Sequence, residues 1–445
     1  MRPLRHLSLL AVAGCTGAVT GGAADPIPDA AAPTVDAAPI PTLPMPTAET
    51  GGSLVLDHCS REVRTRRGAT GPWYPPPGSS ATSPPRQVHL GLAGDPRTQM
   101  AVVWRTGDDA VLGGEVRYGI DSVDEQRQPG FTFVYRSGSA SDSPRIRIHE
   151  THLCGLRPDT IYRYQVGGDG AWSPEYTFRT APDLAADPSA QVSIAVLGDS
   201  RGGQAMWGKL IADAETTAMP DLILFTGDAV TSGAGQAEWD AFFEHGASML
   251  PYVPLVMALG NHEANAINFF AQLAQPGDEE VFSLDFGPVH VVALNDSPDD
   301  PTTIAGSQRA FLDADLAAHT AAPWKMLMHH KAMYSSSTGH GSNLTLRATW
   351  GPVVDAHRVD LVLAGHDHVY ERTRPMRAGS VDPEGTVYLV TGGAGAELYG
   401  TAVQDFSVMS VRANHYVTLT ARAGRLEQRA FNDQGILLDT FTLDH

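Results

Sequence analysis

Five short polar motifs, each placed just after an apolar run, gather the residues of this chain that could do chemistry. They are Gly198-Asp199-Ser200-Arg201, Gly227-Asp228, Gly260-Asn261-His262-Glu263, His329-His330-Lys331-Ala332-Met333-Tyr334 and Gly365-His366-Asp367-His368. Between them they offer two carboxylates, one amide and three imidazoles, the donor set of a two-metal hydrolase centre. Singly, each is weak. A Gly-Asp after a strand is a common turn, Asn261 suits a tight turn, and a lone histidine is more often a satisfied polar residue. His366 and His368 say more, because residues two apart on an extended backbone point to one face and can converge on one centre. The joint order of all five carries the metal reading. Two ions about 3.5–4 Å apart need a bridging ligand with two oxygens, and Asp228 is the natural bridge. Mixed oxygen and imidazole donors suit iron, zinc or manganese.

The elements that must position these motifs alternate in type. Val192 to Leu197, Leu222 to Phe225, Leu255 to Leu259, Val289 to Leu294, Met326 to Met328, Leu361 to Leu363 and Val387 to Val390 are short, largely apolar runs. Helix-compatible stretches such as Ala205 to Ala218 and Ser307 to Ala318 lie between several of them. Strands buried on both faces and alternating with helices predict a layered α/β domain over residues 188–398. Ligands in such sheets bind beyond the carboxyl ends of the strands, where the five motifs begin. Residues 399–445 give further β-like runs, expected to complete or cover that domain. Residues 86–182 read instead as about seven short strands between turns, an all-β immunoglobulin-like sandwich. Trp104 fits its buried aromatic.

With 445 residues, more than one core is expected, and 42% hydrophobic with 18% charged residues is a globular composition. A net charge of -19 argues against nucleic acid as a partner. Arg2, Arg5 and His6 followed by the short apolar run Leu7 to Ala13 read as an export signal over residues 1–14. Val12-Ala13-Gly14-Cys15 resembles a bacterial lipobox, so the expectation is a lipoprotein anchored at Cys15 on a periplasmic or cell-surface face, and otherwise a secreted protein. Residues 15–85 read as an Ala/Pro-rich tether passing into an irregular linker, with Trp73 and Tyr74 placed to pack on the next domain. An oxidising compartment permits a Cys59–Cys154 disulfide, a pairing the sequence leaves open.

In motif order the chain resembles the purple acid phosphatases within the calcineurin-like metallophosphoesterases, over roughly residues 86–398. The stretch Leu156-Arg157-Pro158-Asp159-Thr160-Ile161-Tyr162 likewise resembles the fibronectin type III turn, in which a tyrosine hydroxyl ties back to upstream backbone. The resemblance implies a four-layer sandwich of mixed sheets flanked by helices, preceded by a fibronectin III-like domain. It implies Asp199, Asp228 and His368 on the first metal, and Asp228, Asn261, His330 and His366 on the second. His330 is preferred to His329 because His330-Lys331-Ala332-Met333-Tyr334 matches the family's His-x-x-x-Tyr. His262 is implied as substrate contact and general acid, and His340 as a second outer histidine. Glu263 is expected to orient His262, and Asp367 and Tyr370 to support the ligands.

Two departures from that family stand out. Where the purple enzymes carry an iron-binding tyrosine three residues after the bridging aspartate, this chain has Thr231. Without a phenolate the protein is expected to be colourless, with the metals open among iron, zinc and manganese. Two residues after Asp199 comes Arg201, where relatives carry glycine or a metal-binding histidine. Guanidinium cannot ligate metal, but it can pair with a phosphoryl group or with a carboxylate at the turn. The implied activity is hydrolysis of phosphate monoesters by in-line attack of a metal-bound hydroxide. A phosphodiesterase using the same centre is the near alternative, and a non-catalytic phosphate-binding or cell-surface interaction lipoprotein is the distant one.

Overall fold

The computed structural model describes residues 44–445 apart from 77–78, 80–82, 108, 139, 141, 169 and 298–299. The export signal, Cys15 and most of the tether therefore lie outside the described residues. Among the described residues no helix is long and apolar enough to cross a membrane.

The N-terminal part is an all-β sandwich. One sheet runs in the order Pro85–Gly91, Gln99–Thr106, Arg145–Cys154 and Phe131–Arg136. The other runs Ala171–Trp172, Ile161–Gly168, Glu115–Gly119 and Gln126–Pro129, with Tyr176–Arg179 also on Ile161–Gly168. Alternate residues meet between the sheets: Leu90, Met100, Val102 and Trp104 from one, Val116, Tyr164 and Val166 from the other. The Tyr162 hydroxyl accepts the Arg157 backbone N–H at 2.9 Å, closing the expected corner.

Residues 51–85 correct the irregular-linker expectation. Gly52–Leu56 and Arg61–Thr65 form an antiparallel hairpin, and Cys59 at its turn is disulfide-bonded to Cys154. The prolines that suggested irregularity all follow the hairpin. Leu54, Leu56 and Val63, at alternate positions, give it an apolar face that packs on the sandwich. Trp73 does pack on the next domain, exchanging backbone hydrogen bonds with Thr132.

The C-terminal part stacks two mixed sheets between helices. The first runs Leu255–Met257, Leu222–Phe225, Val192–Leu197, His415–Arg422, Arg425–Asn432 and Leu437–Asp444. The second runs Phe282–Phe286, Val289–Ala293, Trp324–Lys331, Leu361–Gly365, Val387–Thr391, Tyr370–Thr373 and Ser407–Val411. The period of two sorts each strand between layers. Ile194, Val196, Leu224, Val291, Met326 and Leu363 fill the space between the sheets. Ala195, Leu197, Ile223 and Phe225 face the helices Gln204–Ala218 and Gln236–His245, while Val292, Leu327 and Val362 face Arg309–Ala318 and Leu344–Ala356. The strands that precede the polar motifs are thus covered on both faces, which explains their largely apolar runs. Residues after 399 enter both sheets: Ser407–Val411 forms an edge of one, and His415–Arg422 lies antiparallel to Val192–Leu197 in the other.

Candidate metal centre

The parallel strands Val192–Leu197, Leu222–Phe225 and Leu255–Met257 end together, as do Trp324–Lys331 and Leu361–Gly365 in the facing sheet. Each then turns sharply. Asp199, Asp228 and His366 hold left-handed backbones, with φ of 62°, 57° and 69°. Non-glycine residues pay about 1–3 kcal/mol for the less populated of such conformations, and they concentrate at functional sites. Close approach explains two of the motif glycines: a Cβ on Gly260 would collide with the Asp228 carboxylate, and one on Gly365 with that of Asp199.

His330 reaches the centre through an irregularity. Pairing between Trp324–Lys331 and Leu361–Gly365 shifts register between Met328 and Lys331, and such bulges re-aim side chains. The Nδ1–H of His330 donates to the Thr226 carbonyl at 2.7 Å. Its Nε2 then lies 3.1 Å from Asn261 Oδ1 and 3.4 Å from Asp228 Oδ2. His329 points elsewhere, pairing with Asp296 at 3.0 Å and packing against Trp350. The Nδ1–H of His368 donates to the Glu397 carbonyl at 2.6 Å, which leaves Nε2 free, 3.4 Å from Asp199 Oδ1.

Donor atoms of Asp228, His330 and His366 all lie within 4.8 Å of one another. Around them, the His330 Nε2, the Asn261 amide oxygen and the Asp228 carboxylate converge, an arrangement that a cation satisfies, whether a proton on His330 or a metal ion. The residues present therefore fit a divalent ion at this point. The field agrees. Burial disfavours charge on His330, yet Asp228 outweighs it and lifts the imidazole to about 10. Burial, then His330 and His340, push His366 down to about 2, keeping it the neutral imidazole a metal requires.

Supporting groups differ in part from expectation. Glu263 does not touch His262. It is buried, and its carboxylate accepts the backbone N–H groups of Asp228, Ala229 and Gly260 at 2.8, 2.8 and 2.7 Å. His262 is oriented instead by Thr231, whose carbonyl accepts its Nδ1–H at 2.8 Å. Its Nε2 is thereby left facing the centre, 3.9 Å from Asp228 Oδ2. Asp367 accepts the His340 N–H at 2.9 Å and so fixes the loop on which the exposed His340 ring stacks over His366 at 3.9 Å. Tyr370 plays no part at the centre: it points between the sheets, donating to Asp439 at 2.7 Å.

Arg201 lies against the donors themselves. Its Nε is 3.4 Å from Asp228 Oδ2, and its Nη2 is 3.5 Å from His368 Nε2. Tyr399 was not singled out in the sequence. Its ring stacks on His368 at 4.1 Å, and its hydroxyl accepts from Arg201 Nη2 at 3.4 Å. The signal that could have found it is Gly392-Gly393-Ala394-Gly395, another small-residue turn after an apolar strand.

Residues 85–180 match the family described as the purple acid phosphatase N-terminal domain, and residues 192–370 match the calcineurin-like phosphoesterases. Purple acid phosphatase 18 of Arabidopsis thaliana is 29% identical over 347 residues, covering 73% of each chain. An uncharacterised protein of Mycobacterium tuberculosis is 28% identical, covering 73% of this chain and 72% of that one. The chain thus carries a purple acid phosphatase N-terminal domain followed by a calcineurin-like phosphoesterase domain. Its fold is shared with a purple acid phosphatase from yellow lupin (Lupinus luteus) seeds, at 21% identity and a TM-score of 0.73, over 82% of this chain and 75% of that one.

A metallophosphoesterase acts on phosphate esters, which a chain of net charge -19 would repel at long range. The cationic groups at the centre must reverse that sign locally. Arg201 is one such group.

Proposed function

We propose that this metallophosphoesterase hydrolyses phosphate monoesters at a binuclear centre. The observation that supports it most is the convergence of donor groups from Asp228, Asn261, His330 and His366 beside the Nε2 of His262. Asp199, Asp228 and His368 would hold the first ion, and Asp228, Asn261, His330 and His366 the second. Iron, zinc or manganese suits these donors, and none is preferred by a phenolate because Thr231 stands in the tyrosine position. When bound, such ions neutralise phosphoryl charge and bring the pKa of a water toward neutrality.

The chain's own residues do the rest. His262, locked by the Thr231 carbonyl, presents Nε2 to protonate the leaving alkoxide. His340, carried by the Asp367-anchored loop, adds a second imidazole on the exposed side of His366 for the phosphoryl oxygens. Glu263 holds the Asp228 turn, so the shared carboxylate does not reorganise during turnover. Export with a lipid anchor at Cys15 belongs to the same reading, and placing the enzyme outside the cytoplasm agrees with the Cys59–Cys154 disulfide.

Assays of metal-reconstituted protein on p-nitrophenyl phosphate and its bis-ester test the proposal. Faster turnover of the monoester is expected. Preference for the bis-ester would make the protein a phosphodiesterase, and no turnover of either would return it to phosphate binding.

A further inference from the structure

We infer that Arg201 competes for the first metal position, so that the two ions bind with unequal affinity. This rests on the binuclear reading above and adds a statement about the order of filling.

The argument starts from what the guanidinium touches. Arg201 contacts Asp228 Oδ2 and His368 Nε2, two of the three donor groups assigned to the first ion. His368 Nδ1 is committed to the Glu397 carbonyl, so Nε2 is the lone pair an ion would use, and Arg201 Nη2 points at it. The guanidinium is held in place by the Tyr399 hydroxyl and is only 22% exposed. Its Nε is buried without a hydrogen-bond partner, facing the Asp228 carboxylate at 3.4 Å. Guanidinium stays protonated at every pH of interest, so it is a fixed cation beside the place of another.

Donor counts point the same way. Asp228, Asn261, His330 and His366 supply the second position with four protein groups, and Arg201 contacts only the shared Asp228 among them. The first position has Asp199, the shared Asp228 and His368. Thr231 offers no phenolate, and at position 201 the chain has a cation rather than an imidazole. An ion entering there must displace the guanidinium from both Asp228 and His368 or endure its charge at close range. A trivalent ion is penalised more than a divalent one. The released guanidinium remains tethered near Tyr399, where it can fork onto a phosphoryl group.

The test is calorimetric titration of the chelated full-length protein with Zn²⁺ and separately with Mn²⁺, with bound metal counted by mass spectrometry. One tight equivalent and a second at least about tenfold weaker are expected for the wild type. Arg201→Gln and Arg201→Met should each narrow that gap by tightening the weaker step more than the tight one, which shares only Asp228 with the guanidinium. Using two variants, each checked by thermal melting, separates loss of charge from loss of fold. Two equal sites in the wild type would overturn the inference, as would an unaltered gap in both folded variants. Absence of any metal binding in all three proteins would overturn the binuclear reading itself, and the inference with it.

Discussion

The Glu263 carboxylate accepts the backbone N–H of Asp228 at 2.8 Å, so the proposed bridging residue is held in its left-handed turn by a buried acid three residues past Gly260. Burial, and secondly the charge of Asp228, push Glu263 up to about 7, while the backbone N–H groups of Asp228 and Gly260 and the charge of His330 oppose the shift. Replacing Glu263 by Gln keeps the volume but turns one acceptor into a donor among N–H groups. The Glu263→Gln protein should lose about 1–3 kcal/mol of stability and retain less metal. Urea unfolding and metal analysis check this; parent-like values for both would show that the turn supports itself.

The His262 ring is fixed through Nδ1 by the Thr231 carbonyl, and the bond His262 makes to Asp228 Oδ1 at 2.9 Å comes from its backbone N–H, which alanine retains, so removing the ring should spare the metals. His262→Ala is expected to lower kcat by about 10²–10⁴, the range for loss of a positioned acid, with metal content unchanged. Loss of metal in this variant would make His262 a ligand or a structural support.

Thr231 is exposed, uses its backbone rather than its side chain at the centre, and provides no phenolate. Protein fully loaded with iron should therefore be colourless or pale, without an intense phenolate-to-iron band. Visible spectroscopy of the iron form decides it. A strong band would mean that a tyrosine reaches the iron, with Tyr399, stacked on His368, the first to examine by Tyr399→Phe.

Away from the centre, His290 ties Val289–Ala293 to its hairpin partner and to the helix Arg309–Ala318. Its two ring nitrogens each lie 2.7 Å from a carboxylate, of Asp285 and of Asp315. Burial lowers its pKa, but the two acids outweigh burial and raise it to about 9 from the usual 6.5. A raised histidine contributes stability that is fully present below pH 6.5 and is lost as pH rises through about 9. The shift corresponds to at most about 3 kcal/mol, and to less here because the Asp285 side chain is 64% exposed. His290→Gln should flatten the fall in stability over that window and lower stability at acidic pH, as read by chemical denaturation across pH. A mutant curve parallel to the parent's would exclude the mechanism.

Local sequence carried the fold a long way because burial writes itself into composition. Runs such as Val192 to Leu197 must be apolar on both sides when a sheet is covered twice, and the fibronectin-like corner needs a tyrosine within hydrogen-bonding reach of its own loop. The hairpin at residues 52–65 was hidden for the converse reason. Its stability comes from packing on the sandwich and from Cys59–Cys154, partners 95 residues apart in sequence, and the prolines beyond it dominated the local signal.

At the centre, residue types and order are properties of the chain: two aspartates, an asparagine and histidines, each after a strand that must end at one edge. Orientation is not. Whether His329 or His330 turns inward is set by a register shift against a neighbouring strand. That Glu263 grips backbone while Tyr370 bonds Asp439 depends on which loop and which C-terminal strand happen to pack alongside. Donor chemistry is a property of single residues and can be read one at a time. The direction in which a lone pair points is set by the hydrogen bond on the other side of the ring, and the partner in that bond comes from elsewhere in the fold. For Arg201 this difference is largest: sequence marked it as an intruder, and only the folded chain put its guanidinium between Asp228 and His368.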